Sequence, residues 1–156
     1  MNKELKISYE HYGSLEEMSP CDREVVLAAQ EATRRAYAPY SHFQVGAAAL
    51  LEDGTIVTGT NQENAAYPSG LCAERTTLFY ANSQYPDLSV KALAITARTP
   101  DGELCHTPLT PCGACRQVMV ETEKRYGKLM RVLLCGSEEV YIAESARSLL
   151  PLSFDL

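Results

Sequence analysis

The chain has 156 residues, 46% of them apolar and 22% charged, and no run approaches the roughly 18 uninterrupted apolar residues that a membrane helix needs. That balance predicts one soluble, compact domain with a single sizeable core and leaves little room for a second. A net charge of −6, with 14 basic residues scattered along the chain, argues against a sequence-blind grip on nucleic acid, which needs clustered Lys and Arg.

Residues 1–18 read as a polar N-terminal arm. They lack the apolar core of about 7–15 residues that a secretory signal requires, so the expected location is the cytoplasm. Residues 19–156 read as one domain. Ser19, Pro20 and Asp22 mark a helix start, with Val25, Ala28, Ala29, Ala32 and Ala36 on its apolar stripe and Pro39 at its end. "HFQVGAAALLEDGTIVTGTN" reads as a β-hairpin turning at Asp53-Gly54. A loop with Pro68 and Gly70 leads to a helix over about 71–83, and "LSVKALAITART" follows as a strand buried on both faces. After the loop "ELCHTPLTP", "CGACRQVMVETEKRYG" forms a helix ending before Gly127. "RVLLCG" and "EEVYIAE" are short strands, and "SARSLLP" is a last helical turn. This order predicts a three-layer α/β/α fold with a mixed five-stranded sheet.

Two of these helices begin with cysteine: Cys72 opens one, Cys112 and Cys115 the other. A helix N-terminus carries about half a positive charge and unpaired N–H groups, so a thiol there ionises more readily, and zinc binds thiolates. Cys112 and Cys115, three apart, share a face of their first turn. With Cys72 they make three ligands, and the open fourth tetrahedral position is the mark of a catalytic zinc, whose bound water drops in pKa from about 15.7 towards 7. Glu74 is the natural proton acceptor for that water. Residues two apart do not share a helix face, so Cys72 and Glu74 can only flank something lying over the helix end. Three thiolates leave Zn²⁺ at net −1, and Arg75 is placed to offset that excess by donating to the sulfurs.

"CAE" followed by "PCGAC" matches the three-cysteine form of the zinc deaminase signature. The chain resembles the short, homotetrameric cytidine deaminases, and the likeness extends over "AYAPYSHFQVGAA", "GTNQENAAYPSGLCAERT", "PCGACRQVM" and "LLPLSF". The resemblance implies that zinc-bound hydroxide attacks C4 of cytidine or deoxycytidine while Glu74 protonates N3 and then the leaving amino group, in pyrimidine nucleoside salvage. It implies that the Ala73 N–H holds the ring carbonyl, that Phe43 on the first strand stacks on the base, and that Asn61 and Glu63 bind the ribose hydroxyls. It also implies a homotetramer in which Tyr67 and Phe154 serve a neighbouring site. The partners are then a nucleoside and other copies of the chain, with neither nucleic acid nor membrane among them. The arm has no counterpart in the family pattern, residues 121–132 form a longer link than usual, and the chain stops two residues after Phe154.

Several other readings compete. Cys112 and Cys115 alone could be a redox pair, which leaves the third cysteine and its Glu-Arg neighbours without a role. A deaminase of a nucleoside antibiotic or of a polynucleotide would keep the chemistry and change the substrate. A non-catalytic zinc module would need a fourth protein ligand, for which His106 beside Cys105 is the candidate. Cys21 and Cys135 read as an ordinary helix residue and a strand-core residue.

Overall fold

A computed structural model describes all 156 residues. The chain runs β1 (Tyr9–Tyr12), α1 (Pro20–Ala32), β2 (Gln44–Leu51), β3 (Ile56–Thr60), α2 (Ala73–Gln84), β4 (Val90–Arg98), α3 (Gly113–Tyr126), β5 (Arg131–Cys135) and β6 (Val140–Ala143), and a 3₁₀ turn follows at Ala146–Leu149. The sheet order is β1-β6-β5-β4-β2-β3. Only β4 and β5 pair in parallel. No helix is long and apolar enough to cross a membrane.

The sheet has six strands where the sequence predicts five. The sixth lies in the arm, where Tyr9–Tyr12 pairs antiparallel with β6. "YEHY" is short and polar and carries no turn signal, because its partner and not its pattern makes it a strand: Tyr9 packs on Tyr141 with ring centroids 4.9 Å apart, and His11 Nε2 meets Glu139 Oε1 at 3.0 Å. The first helix also ends earlier than Pro39. Thr33 donates its hydroxyl to the Gln30 carbonyl, and the chain tightens into a 3₁₀ turn over Thr33–Arg35, which leaves Ala36 outside the helix. Ser19 caps α1 as predicted, its hydroxyl accepting from the Asp22 N–H, and Gly127 closes α3 in the left-handed conformation at φ 61°. Residues 121–126 of the long link are the last turns of α3.

The layers follow from alternation along the strands. Ala48, Leu50, Ala92, Ala94, Leu133 and Ile142 face Val25, Val26 and Ala29 of α1, while Ala47, Ala49, Leu93, Ile95, Val132 and Leu134 face Leu78 of α2 and Met119 of α3. Two glycines let the helices approach the sheet closely. A Cβ at Gly46 would lie 2.3 Å from the Ala29 carbonyl oxygen of α1, and one at Gly59 would lie 2.4 Å from Thr77 Oγ1 of α2.

Because β3 and β4 both run antiparallel to β2, and β5 runs parallel to β4, these three strands point the same way. The helices that follow β3 and β4 therefore both start at one rim of the sheet, on the same face. That rim is where open α/β sheets bind ligands.

An ion pair ties the opposite face together: Arg131 at the start of β5 donates to both carboxylate oxygens of Asp22 at 2.8 and 2.9 Å. The Arg131 hydrogen bonds hold the Asp22 carboxyl below its usual value, so the pair stabilises the fold above the unfolded pKa of about 4, and this contribution is lost as pH falls through the lowered folded value. Asp22→Asn is expected to cost about 1 kcal/mol at pH 7, a modest figure because Arg131 keeps 37% of its side-chain surface exposed. Urea melts of both proteins check this. The difference between them should close towards pH 3, and a gap of constant size would remove the ion pair as its source.

Candidate active site

Cys72 and Cys112 are the N-cap residues of α2 and α3, and Cys115 lies in the first turn of α3. No side chain caps either helix, which leaves first-turn N–H groups directed at whatever lies over the two ends. The Sγ atoms of Cys72 and Cys112 are 3.9 Å apart and those of Cys112 and Cys115 are 3.5 Å apart. All three atoms lie within 4.8 Å of one another. Ligands on a tetrahedral zinc at about 2.3 Å stand roughly 3.8 Å apart, so the three thiols fit that ion. Cys115 is fully buried on the same stripe of α3 as Met119. Cys112 is exposed and Cys72 half-buried.

The acidity of the cluster is uneven. Hydrogen bonding from Cys115, aided by the Arg75 guanidinium, pulls Cys72 down to about 5, while the same thiol contact and burial push Cys115 up. Arg75 Nη2 stands 3.5 Å from Cys72 Sγ. Its Nε is buried without a partner, and the side chain as a whole is half-buried.

Glu74 is 4% exposed. Its burial follows from helical periodicity: Glu74, Thr77, Leu78 and Ala81 recur at the spacing of a core-facing stripe, and a carboxylate takes the first place on it. That burial pushes the carboxyl up to about 7, and the negative Cys72 nearby adds to the shift. The group can therefore hold or release a proton near neutral pH.

One cavity of about 730 Å³ gathers most of the predicted residues: Phe43, Asn61, Glu63, Tyr67, Cys72, Glu74, Arg75 and Cys112 all line it. Ala73 is the buried first residue of α2, and its N–H has no intrahelical partner. Phe43 stands one residue before β2, not on the first strand, so it flanks the cavity from a loop. Tyr67 is 84% exposed. Phe154 is not part of the cavity; the C-terminal tail lies on α3, where the Phe154 carbonyl accepts from Gln117 Nε2 at 3.2 Å. His106 is also elsewhere, with Nδ1 beside Ser137 Oγ at 3.2 Å, so the four-ligand alternative does not assemble. Cys135 is a core thiol, pushed up to about 12 by burial.

Residues 19–129 match the family model described as the cytidine and deoxycytidylate deaminase zinc-binding region. The chain belongs to this deaminase family. A cytidine deaminase of Halalkalibacterium halodurans is 48% identical over 101 residues, a span of 64% of this chain and 71% of that protein. One of Sporosarcina psychrophila is 50% identical over 97 residues, 62% of this chain and 66% of that protein. Among solved structures, the cytidine deaminase of Burkholderia pseudomallei superimposes with a TM-score of 0.73 at 39% identity, covering 88% of this chain and 100% of its own. That of Mycobacterium tuberculosis gives 0.65 at 34% identity, over 85% and 96%.

Within this deaminase framework, sequence reasoning passed over Ser41 and Leu109, which also line the cavity. Ser41 lies in the segment "AYAPYSHF", where nothing but a turn is legible, and Leu109 in a loop without periodicity. The purified protein is expected to carry about one zinc per chain, with Cys115→Ser losing it and His106→Ala keeping it. Metal analysis of desalted protein reads this directly, and loss of zinc from His106→Ala would dismantle the three-thiolate assignment.

Proposed function

We propose that this chain is a hydrolase that deaminates cytidine and deoxycytidine to uridine and deoxyuridine, releasing ammonia. The observation that carries the reading is a buried carboxyl group, Glu74, sharing one cavity with Cys72 and Cys112 of a three-cysteine cluster in a chain whose relatives bear the name cytidine deaminase. Zinc held by Cys72, Cys112 and Cys115 supplies a Lewis acid that lowers the pKa of a water. Glu74 takes a proton from the attacking water and delivers it to ring N3 as the new C4–O bond forms. It then carries the second proton from that oxygen to the amino nitrogen, and the C–N bond breaks to leave ammonia and a C4 carbonyl. Each transfer returns the carboxylate to its starting form, which suits a group with its pKa near 7. Arg75 offsets the thiolate charge through Cys72.

The residues in and beside the cavity hold the nucleoside. The Ala73 N–H, at the positive end of α2, binds the ring carbonyl. Phe43 gives the base an aromatic wall. Asn61 and Glu63 bind the ribose hydroxyls with the hydrogen-bonding capacity that their protein partners leave free, for each retains at least one unused site.

The assembly we infer is a homotetramer, working in the cytoplasm in pyrimidine nucleoside salvage. Phe154 lies away from this chain's own cavity, so any contact of its ring with a base falls to another copy, and the exposed rings of Tyr67, Phe79 and Tyr80 offer apolar surface for such packing. All six cysteines are free thiols, which suits a reducing compartment. Light scattering should return four times the chain mass.

Glu74→Gln is expected to keep its zinc and lose at least about 100-fold in turnover of cytidine. Ammonia release and the ultraviolet change on deamination measure it, with zinc quantified in the same sample. Turnover within tenfold of wild type would take Glu74 out of the proton path.

A further inference from the structure

Asn61 and Glu63 have a second occupation besides the sugar. Glu63 Oε1 accepts from the backbone N–H groups of Tyr40 at 2.9 Å and Ser41 at 3.1 Å, and Oε2 accepts from the Ser41 hydroxyl. These bonds hold the Glu63 carboxyl below the usual carboxylate range. The same Ser41 hydroxyl accepts from the Phe43 N–H at 3.0 Å. On the far side of Phe43, the Asn61 amide donates to the Phe43 carbonyl and accepts from the Val45 N–H, each at 2.9 Å.

Both backbone polar groups of Phe43 are thus tied to side chains that lead back to residues 61 and 63. Between Ser41 and Phe43, His42 sits at φ 56°, in the left-handed region that histidine visits more readily than most non-glycine residues, and its N–H closes onto the Ala38 carbonyl at 3.0 Å. The ring that this loop presents half-buried in the cavity wall is Phe43.

We propose that Ser41 is a positioning residue of the reaction, its hydroxyl linking Glu63 to the backbone of Phe43 and so fixing the aromatic wall on which the pyrimidine rests. The proposal rests on the cytidine deaminase reading above. Ser41 acts through Phe43 and needs no contact with the reacting atoms. Of the two hydroxyl bonds, the one to Glu63 sets the direction of the proton, and this leaves a lone pair for the Phe43 N–H. Alanine at 41 removes both bonds at once, whereas threonine keeps the hydroxyl.

The test is steady-state turnover of cytidine by wild type, Ser41→Ala, Ser41→Thr, Phe43→Ala and the double variant Ser41→Ala/Phe43→Ala, with zinc content measured in every preparation. Ser41→Ala is expected to raise KM about tenfold and change kcat less than about threefold, with zinc retained. Ser41→Thr should restore KM, and the double variant should be no worse than Phe43→Ala alone, because a wall that has been removed cannot also be misplaced. The KM effect of Ser41→Ala should persist with 2′,3′-dideoxycytidine, which lacks the ribose hydroxyls. Unchanged KM in Ser41→Ala, multiplying effects in the double variant, failure of threonine to rescue, zinc loss, or an effect that disappears with the dideoxy substrate would each overturn the role. If the wild type turns over no cytidine, the proposed function falls and the role of Ser41 with it. If the wild type is active and Ser41→Ala matches it, only the role of Ser41 falls.

Discussion

Three sulfur atoms from two helices must meet within the span of one ion. Cys72 and Cys112 are 40 residues apart in sequence, and the side chain of cysteine is too short to correct an error in backbone placement. The sheet provides the placement. With β3, β4 and β5 pointing the same way, α2 and α3 begin at one rim, and each begins with a cysteine at its N-cap. The same arrangement brings two positive helix ends to the place where the sulfurs gather, and there the Cys115 thiol and the Arg75 guanidinium favour the ionised form of Cys72.

Close packing then decides how Glu74 behaves. Gly59 lets α2 lie directly on β3 with Thr77 against the glycine backbone. Glu74 is one turn earlier on the same stripe, so it is carried inward with Thr77 and is buried like it. A carboxylate on the solvent face of the same helix would keep an ordinary acidity and remain ionised at neutral pH. Arg75, one residue on, reaches the same thiol cluster, with Nη2 3.5 Å from Cys72 Sγ. Two adjacent charged residues of one helix thus meet the thiols from different directions because helical geometry sends them about 100° apart.

Much of this was legible in the sequence. The caps of α1 and α3, the Asp53-Gly54 hairpin and the double-sided burial of β4 each rest on a local rule that the fold obeys. The thiol cluster could be read because Cys72, Cys112 and Cys115 combine spacing with helix starts, and the place of Glu74 beside it because it stands two residues after Cys72 at the same helix end. What escaped depends on partners distant in sequence. "YEHY" becomes a strand only beside β6, and Asp22 is a first-turn helix acid until Arg131 is found against it 109 residues later. Ser41 looks like a turn residue; its hydroxyl takes on another task only once Glu63 stands across from it. The early end of α1 escaped for a different reason, since a threonine bonding back to its own helix leaves no trace in hydrophobic periodicity.

Asn61 makes the sheet longer than its strands. Its backbone N–H donates to the Val45 carbonyl at 3.3 Å, while its side-chain amide accepts from the Val45 N–H and donates to the Phe43 carbonyl. The amide thereby takes the place of the next residue of a partner strand, continuing the ladder past the last true pair at Gly46 and Thr60. One face of the cavity is in this way part of the sheet's cooperative unit and not a loop laid over it. A ligand that settles there meets a surface ordered during folding, so little conformational entropy is left to lose on binding.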